Sequence, residues 1–315
     1  MPRMNDYWKK NFGWSKSRQK TWDTCKLGYY YAYIGKWEGW KGDPNREKLQ
    51  WLNKKTNWHF VPGELVHKAI ASQINQHAIG RPISKEAAKN LLRSELKKIQ
   101  VAPRDYLIEE INGFPVQSSD YQKSEKDGLE LLDSFFDIIW PNYDSYDYIK
   151  HEDYDRFLID DVKVWVKVDL VTKTKANVVI VTDWKTGKPR EREEEDRSQV
   201  LGYILWAMNA FNQDETKVRA ELRYLRDAGG APTVVDATKD ELDEFSQRIV
   251  GSARAMLAVT SESDFPPTPA ERECRGCAFA TICQTGMVHI PKQAQGTPIQ
   301  PGAIAKGRDS PHVKA

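Results

Sequence analysis

Apolar residues recur at helical spacing through the first half of the chain and alternate with polar ones in the second. From Ser17 to about Ile34, Trp22, Cys25, Tyr29 and Tyr33 fall at steps of three or four and predict one continuous helix. Gly35 to Pro44 reads as a glycine-rich connection. "PGELVHKAIASQINQHA" predicts a helix beginning near Pro62, since proline is tolerated in a first turn. "SKEAAKNLLRSELKKI" predicts another with Ser84 as its N-cap. Ser119 to Trp140 predicts a longer one that stops before Pro141.

The pattern then changes to period two. "YDYIKHEDYDRFLIDDVKVWVKVDLVTKTKANVVIVTDWK" is rich in Val, Ile, Tyr and Trp and predicts a run of strands, with a turn near Lys173–Asn177. "DRSQVLGYILWAMNAF" returns to a helix, "VRAELRYLRD" and "PTVVDA" to strands, and a helix follows from about Lys239 to Val259, broken by "FPPTPA". The fold class is α/β, with a helical N-terminal extension. Five regions are expected: residues 1–60, basic, Trp-rich and helical; 61–145, helical; 146–260, the α/β core; 261–289, a segment with three cysteines; and 290–315, a tail poor in large apolar residues and expected to be disordered.

Composition narrows the class. A chain of 315 residues with 40% hydrophobic and 29% charged residues has ample material for a core. Apolar runs such as "VVIV" and "AMLAV" are too short to cross a bilayer, and the first residues lack the apolar stretch of a secretion signal. The expected location is the cytoplasm, where thiols stay reduced and four cysteines are not disulfides. The net charge of +2 hides an asymmetry: residues 1–60 hold thirteen Lys/Arg against five Asp/Glu, and seven of the eleven tryptophans. Residues 100–161 hold sixteen Asp/Glu against five Lys/Arg. A basic, aromatic-rich segment suits nucleic acid, though buried tryptophans beside a solvated basic face would read the same way.

"VVIVTDWKTGK" carries the candidate chemistry. Strand residues two apart share a face, so Asp183 and Lys185 point together and Trp184 points away. A hairpin through the turn near residues 173–177 sets Asp169, in "VKVDLV", beside Asp183. A carboxylate in an apolar strand is costly unless paired, and a divalent cation with a preference for hard oxygen ligands would relieve two of them at once. Alone, the D-x-K pattern equally suits an ordinary strand-end salt bridge.

Asp169, "VTDWKTGK" and the later "QVLGY" together resemble the RecB-like branch of the PD-(D/E)xK nuclease superfamily. In that branch a strand Asp precedes a D-x-K-T-G strand end and a helix carrying Q-x-x-x-Y, here Gln199 and Tyr203. An upstream helical G-x-x-x-H matches "GELVH", with Gly63 and His67; Glu64, three residues before His67, could face the same site. Lys167 and Val168 precede Asp169, where the family more often has a glycine and a small or apolar residue. The resemblance implies a restriction-endonuclease-like core, a mixed central sheet flanked by helices. It implies that His67, Asp169 and Asp183 bind Mg²⁺ or Mn²⁺, with the Trp184 carbonyl as a further ligand. Lys185 would assist the attacking water, and Gln199 and Tyr203 would hold that lysine or the DNA strand. The implied activity is a metal-dependent DNA exonuclease on single-stranded DNA or open ends. No G-x-x-x-x-G-K-[ST] phosphate loop is present, so a helicase, integrase or recombinase partner would supply any motor or pathway.

Cys274, Cys277 and Cys283 form C-x₂-C-x₅-C, and Cys25 stands far upstream. Four thiolates suit an iron–sulfur cluster or Zn²⁺. The one-plus-three arrangement resembles iron–sulfur members of the same branch, such as the CRISPR-associated adaptation exonuclease and the AddB-type subunit of helicase–nucleases. In them a [4Fe–4S] cluster joins the N- and C-terminal regions. Two other readings stay open on sequence: a catalytically weak DNA-binding scaffold, and a Cys₄ zinc protein that binds nucleic acid.

Overall fold

The structure, a computed structural model, describes residues 7–143, 147–188, 193–259 and 261–295. Its centre is a five-stranded mixed sheet in the order β1-β2-β3-β4-β5: Asp147–Ile159, Val162–Lys173, Val179–Lys185, Val218–Tyr224 and Thr233–Val235. Neighbours are antiparallel except β3 and β4, which run parallel. A parallel pair needs a crossover, and the helix Glu193–Phe211 provides it. The predicted run of strands is thus a β1–β2–β3 meander whose last turn closes at Asn177, in the left-handed region with φ 64°.

Two helical layers cover the sheet. The main helices are α1 Lys16–Thr24, α2 Lys26–Tyr33, α3 Pro44–Leu52, α4 Val61–Ala78, α5 Lys85–Val101, α6 Ser118–Ser134, α7 Glu193–Phe211 and α8 Lys239–Leu257. On one side, Val200, Ile204 and Trp206 of α7 and Phe245, Ile249 and Met256 of α8 form a core with Val179 and Val181, joined by Tyr29 and Tyr30 of α2. On the other, Val66, Ile70 and Ile74 of α4 pack with Leu92 and Leu96 of α5, Leu131 and Leu132 of α6, and Trp184. Ser84 caps α5 as expected, accepting from the Ala87 N–H. The helix predicted to reach Trp140 is α-helical to Ser134, then continues as a π turn over Phe135–Ile139 and a 3₁₀ turn over Trp140–Asn142. Among the described residues, no helix is long and apolar enough to cross a membrane.

Two expectations need correction. The helix predicted from Ser17 to Ile34 is broken at Cys25, whose backbone is extended (φ −159°, ψ 116°). Cys25 ends α1 and caps α2, its sulfur accepting from the Gly28 N–H, so a local side-chain bond displaces one helical turn. The chain is also ordered beyond residue 290: Ile290 and Ala294 are buried, and Gln295 donates to the carbonyls of Met287 and Ile290. Apolar residues too sparse to suggest a core still seat six residues against one formed elsewhere; residues 296–315 lie outside the described residues.

Candidate active site

The end of β3 lies against β2 on one side and β4 on the other. The β2–β3 ladder pairs Leu170 with Thr182, so the same register, extended by one residue, sets Asp169 opposite Asp183. The Trp184 N–H donates to Asp169 Oδ2 at 2.9 Å and fixes that carboxylate at the strand end. The Trp184 indole turns to the other face, edge-on to Phe135 and Tyr143.

Two helices complete the cluster. His67 of α4 brings Nδ1 to 3.3 Å from Asp169 Oδ1. The close approach of α4 to the β3 end depends on Gly63: a Cβ there would lie 3.1 Å from Thr186 Oγ1. Gln199 and Tyr203, one turn apart on α7, both reach Asp183: Tyr203 donates to Oδ1 at 3.0 Å, and Gln199 Nε2 lies 3.2 Å from the same oxygen. Lys185 Nζ stands 2.9 Å from Asp183 Oδ2 and donates to Gln199 Oε1 at 3.0 Å. His67, Asp169, Asp183, Lys185, Gln199 and Tyr203 are therefore brought together. Glu64 is not part of this network; it is exposed and accepts from Thr56 Oγ1 at 3.4 Å.

The two carboxylates titrate in opposite directions. Burial, then the charge of Asp169, pushes the Asp183 carboxyl up, against the pull of Lys185. Burial also opposes ionisation of Asp169, but His67 and the Trp184 N–H outweigh it and hold that carboxyl below its ordinary range. Burial and the neighbouring Asp183 raise the Tyr203 phenol well above its ordinary value, which keeps it a donor.

One contributor was invisible in the sequence pattern. Arg226, just past β4, donates from Nε to the Thr186 carbonyl at 2.9 Å, with its NH2 3.3 Å from Asp127 of α6. It ties the β3 end to the helical layer. Forty positions separate Arg226 from Thr186, and only the parallel β3–β4 pairing makes them neighbours.

The four cysteines meet at a second site. Cys25, Cys274, Cys277 and Cys283 line one pocket of about 30 Å³, and all are free thiols. Backbone N–H groups point at two of the sulfurs: Gly28 and Thr268 at Cys25, each 3.5 Å away, and Gly286 at Cys283, 3.4 Å away. Burial pushes the Cys277 thiol up to about 12, with the other three cysteines adding to the rise. Asn112, fully buried, donates to the carbonyls of Arg275 and Cys277 at 2.8 and 2.9 Å and anchors this segment.

Among the described residues, no group of three or more His, Cys, Asp or Glu side chains is arranged as it stands to hold a metal ion. The acidic oxygens are instead bound by protein donors, Asp183 by Lys185, Gln199 and Tyr203, and Asp169 by His67 and Trp184.

A family model of the PD-(D/E)XK nuclease superfamily matches residues 13–284. The chain belongs to that superfamily. Residues 13–284 of this nuclease include the sheet, both helical layers, the residues of the carboxylate site and all four cysteines. Its five-stranded mixed sheet flanked by helices is consistent with the restriction-endonuclease-like fold expected of the superfamily, whose members typically use divalent metal ions. No curated protein matches the sequence of this nuclease.

Proposed function

We propose that this nuclease is a Mg²⁺- or Mn²⁺-dependent exonuclease on single-stranded DNA or open DNA ends. The observation that carries the reading is the meeting of His67, Asp169, Asp183 and Lys185 at one strand end. Hard carboxylate oxygens with one imidazole suit a divalent cation, and the elevation of Asp183 by burial and by Asp169 is the strain such a cation relieves. His67, Asp169 and Asp183 would hold it, with the Trp184 carbonyl as a further ligand. When bound, the ion supplies Lewis-acid polarisation of a phosphoryl oxygen and a more acidic attacking water.

The remaining residues act around that centre. Lys185 brings a positive charge to the site, where it orients the nucleophilic water and offsets charge developing on phosphorus. Gln199 holds Lys185 through its carbonyl oxygen and directs its amide toward Asp183 and Tyr203, so one side chain sets the spacing of the lysine, the carboxylate and the phenol. Tyr203 keeps Asp183 oriented. The basic N-terminal segment contacts phosphates.

Cys25, Cys274, Cys277 and Cys283 would carry a [4Fe–4S] cluster in the manner of the RecB-like branch. Support comes from their common pocket and from the backbone N–H groups aimed at the sulfurs of Cys25 and Cys283. The reading places the protein in a reducing cytoplasm, working beside a helicase, integrase or recombinase. A purified protein that is brown supports the cluster; a colourless one with four bound thiolates is a zinc protein instead.

The deciding experiment is digestion of end-labelled single- and double-stranded DNA with Mn²⁺, wild type against Lys185→Ala. The expected result is progressive loss of the single-stranded label by wild type alone, abolished by EDTA. Equal cutting by the two proteins would remove this site from the chemistry.

A further inference from the structure

The N-terminal tryptophans do not share one environment. Trp8 and Trp14 are buried, and Trp22, Trp51 and Trp58 are partly covered by core residues. Trp37 and Trp40, on the connection between α2 and α3, are 43% and 70% exposed. An indole is the largest apolar side chain, and two held in solvent three residues from one another are unusual in a chain that packs the others.

The connection that carries them is braced. Gln50 of α3 donates to the Lys36 carbonyl at 2.9 Å, Arg46 to the Gly39 carbonyl at 3.2 Å, and the Asp43 N–H to the Trp40 carbonyl at 3.1 Å. Gly39 and Gly42 take φ values of 79° and 93°, which a residue with a Cβ rarely adopts. The indoles are thus presented on a defined turn, at little ordering cost to a ligand.

The charge around them is positive. Lys36 Nζ lies 5.5 Å and the Arg46 guanidinium 5.9 Å from the Trp37 ring centre, and Lys41 is exposed beside Trp40. The two carboxylates of the turn are committed elsewhere: Glu38 accepts from the Tyr30 hydroxyl at 2.5 Å, and Asp43 caps α3 through the N–H groups of Asn45 and Arg46. Exposed indoles beside cations match a polyanion with free bases. A duplex hides its base faces in its own stack, whereas a single strand offers them.

We propose that the Trp37–Trp40 turn is a docking surface for single-stranded nucleic acid, with successive bases stacking on the two indoles while Lys36, Lys41 and Arg46 neutralise the flanking phosphates. The proposal rests on the reading of the protein as a nuclease for single-stranded ends, and it adds a substrate-binding surface to that reading.

Binding is measured by fluorescence anisotropy in EDTA, which leaves no cutting to interfere, using a short labelled oligothymidylate and an abasic strand of equal length. Trp40→Ala is expected to weaken oligothymidylate binding about tenfold and to leave abasic-strand binding unchanged. Trp40→Phe, which keeps a ring, is expected to recover most of the affinity, and both variants to melt with wild type because the side chain is exposed. Unchanged oligothymidylate binding by Trp40→Ala would overturn the proposal, as would an equal loss on the abasic strand, or a wild-type preference for duplex or for anionic lipid vesicles over the strand. Digestion of the same strand with Mn²⁺ separates the two readings. If wild type binds through Trp40 yet cuts nothing with Mn²⁺, the nuclease reading of the carboxylate site falls and the docking surface stands.

Discussion

Tyr203 on α7 donates its hydroxyl hydrogen to Asp183 Oδ1 at the end of β3, across 3.0 Å in a buried setting. A carboxylate already pushed up by burial and by Asp169 therefore depends on this donor for part of its charged form. Tyr203→Phe removes the donor, so the Asp183 carboxyl rises further and its ionised form appears only at higher pH. The expected outcome is a 10- to 100-fold lower kcat at neutral pH, the usual range for a group that orients a ligand, with the acid limb of the pH–rate profile moved upward. A profile that falls uniformly without moving would assign Tyr203 to packing alone.

Gly63 lets α4 approach the end of β3. Gly63→Val forces branched bulk against Thr186 Oγ1, which a Cβ alone would meet at 3.1 Å. Since His67 is one turn further along the same helix, displacement there reaches the 3.3 Å contact with Asp169. We expect at least about a tenfold loss of kcat/KM, because sub-ångström misplacement is costly in a preorganised site. Thermal denaturation should show the larger part of the defect to be functional; wild-type kinetics would rule out the positioning role.

Asn112 joins the short helical turn after α5 to the cysteine segment. Asn112→Ala leaves the carbonyls of Arg275 and Cys277 without their donor, at a cost of about 1–3 kcal/mol. The expected signature is local: faster amide exchange at residues 274–283 than in β2 and β3. Uniform acceleration across both regions would mean that the segment opens only with the whole molecule.

Burial pushes the Lys36 ammonium down to about 8, with Arg18 adding to the effect. An unfolded lysine keeps its proton to its ordinary value of 10.5, so between about pH 8 and 10.5 the unfolded chain binds more protons and stability rises with pH. Lys55, also pushed down to about 8 by burial, acts in the same direction. The tyrosines oppose it at higher pH: burial raises the Tyr29 hydroxyl to about 12, so its contribution falls away above its ordinary value of 10. Lys36→Met should raise the melting temperature at pH 7 and reduce the climb between pH 8 and 10. A wild-type-minus-variant difference constant across that range would refute the assignment.

Much of the fold was legible because local periodicity and global burial agree here. The Ser84 cap, the α4 start near Pro62 and the β1–β3 meander all follow from spacing that the tertiary structure then uses. Cys25 shows the limit: its place in a helical apolar pattern hid a break that serves a pocket shared with residues some 250 positions away.

The sequence by itself determined most of the element types and the common face of Asp183 and Lys185, since both are set by side-chain period and by neighbours along the chain. It also carried the spacing of Gln199 and Tyr203 on one helix face. Tertiary structure alone decided that Tyr203 bonds Asp183, that Arg226 braces Thr186, and that Trp37 and Trp40 stay in solvent while the other N-terminal tryptophans are covered. Those outcomes depend on which surfaces meet when strands register and helices pack, a competition among distant segments that no local pattern records.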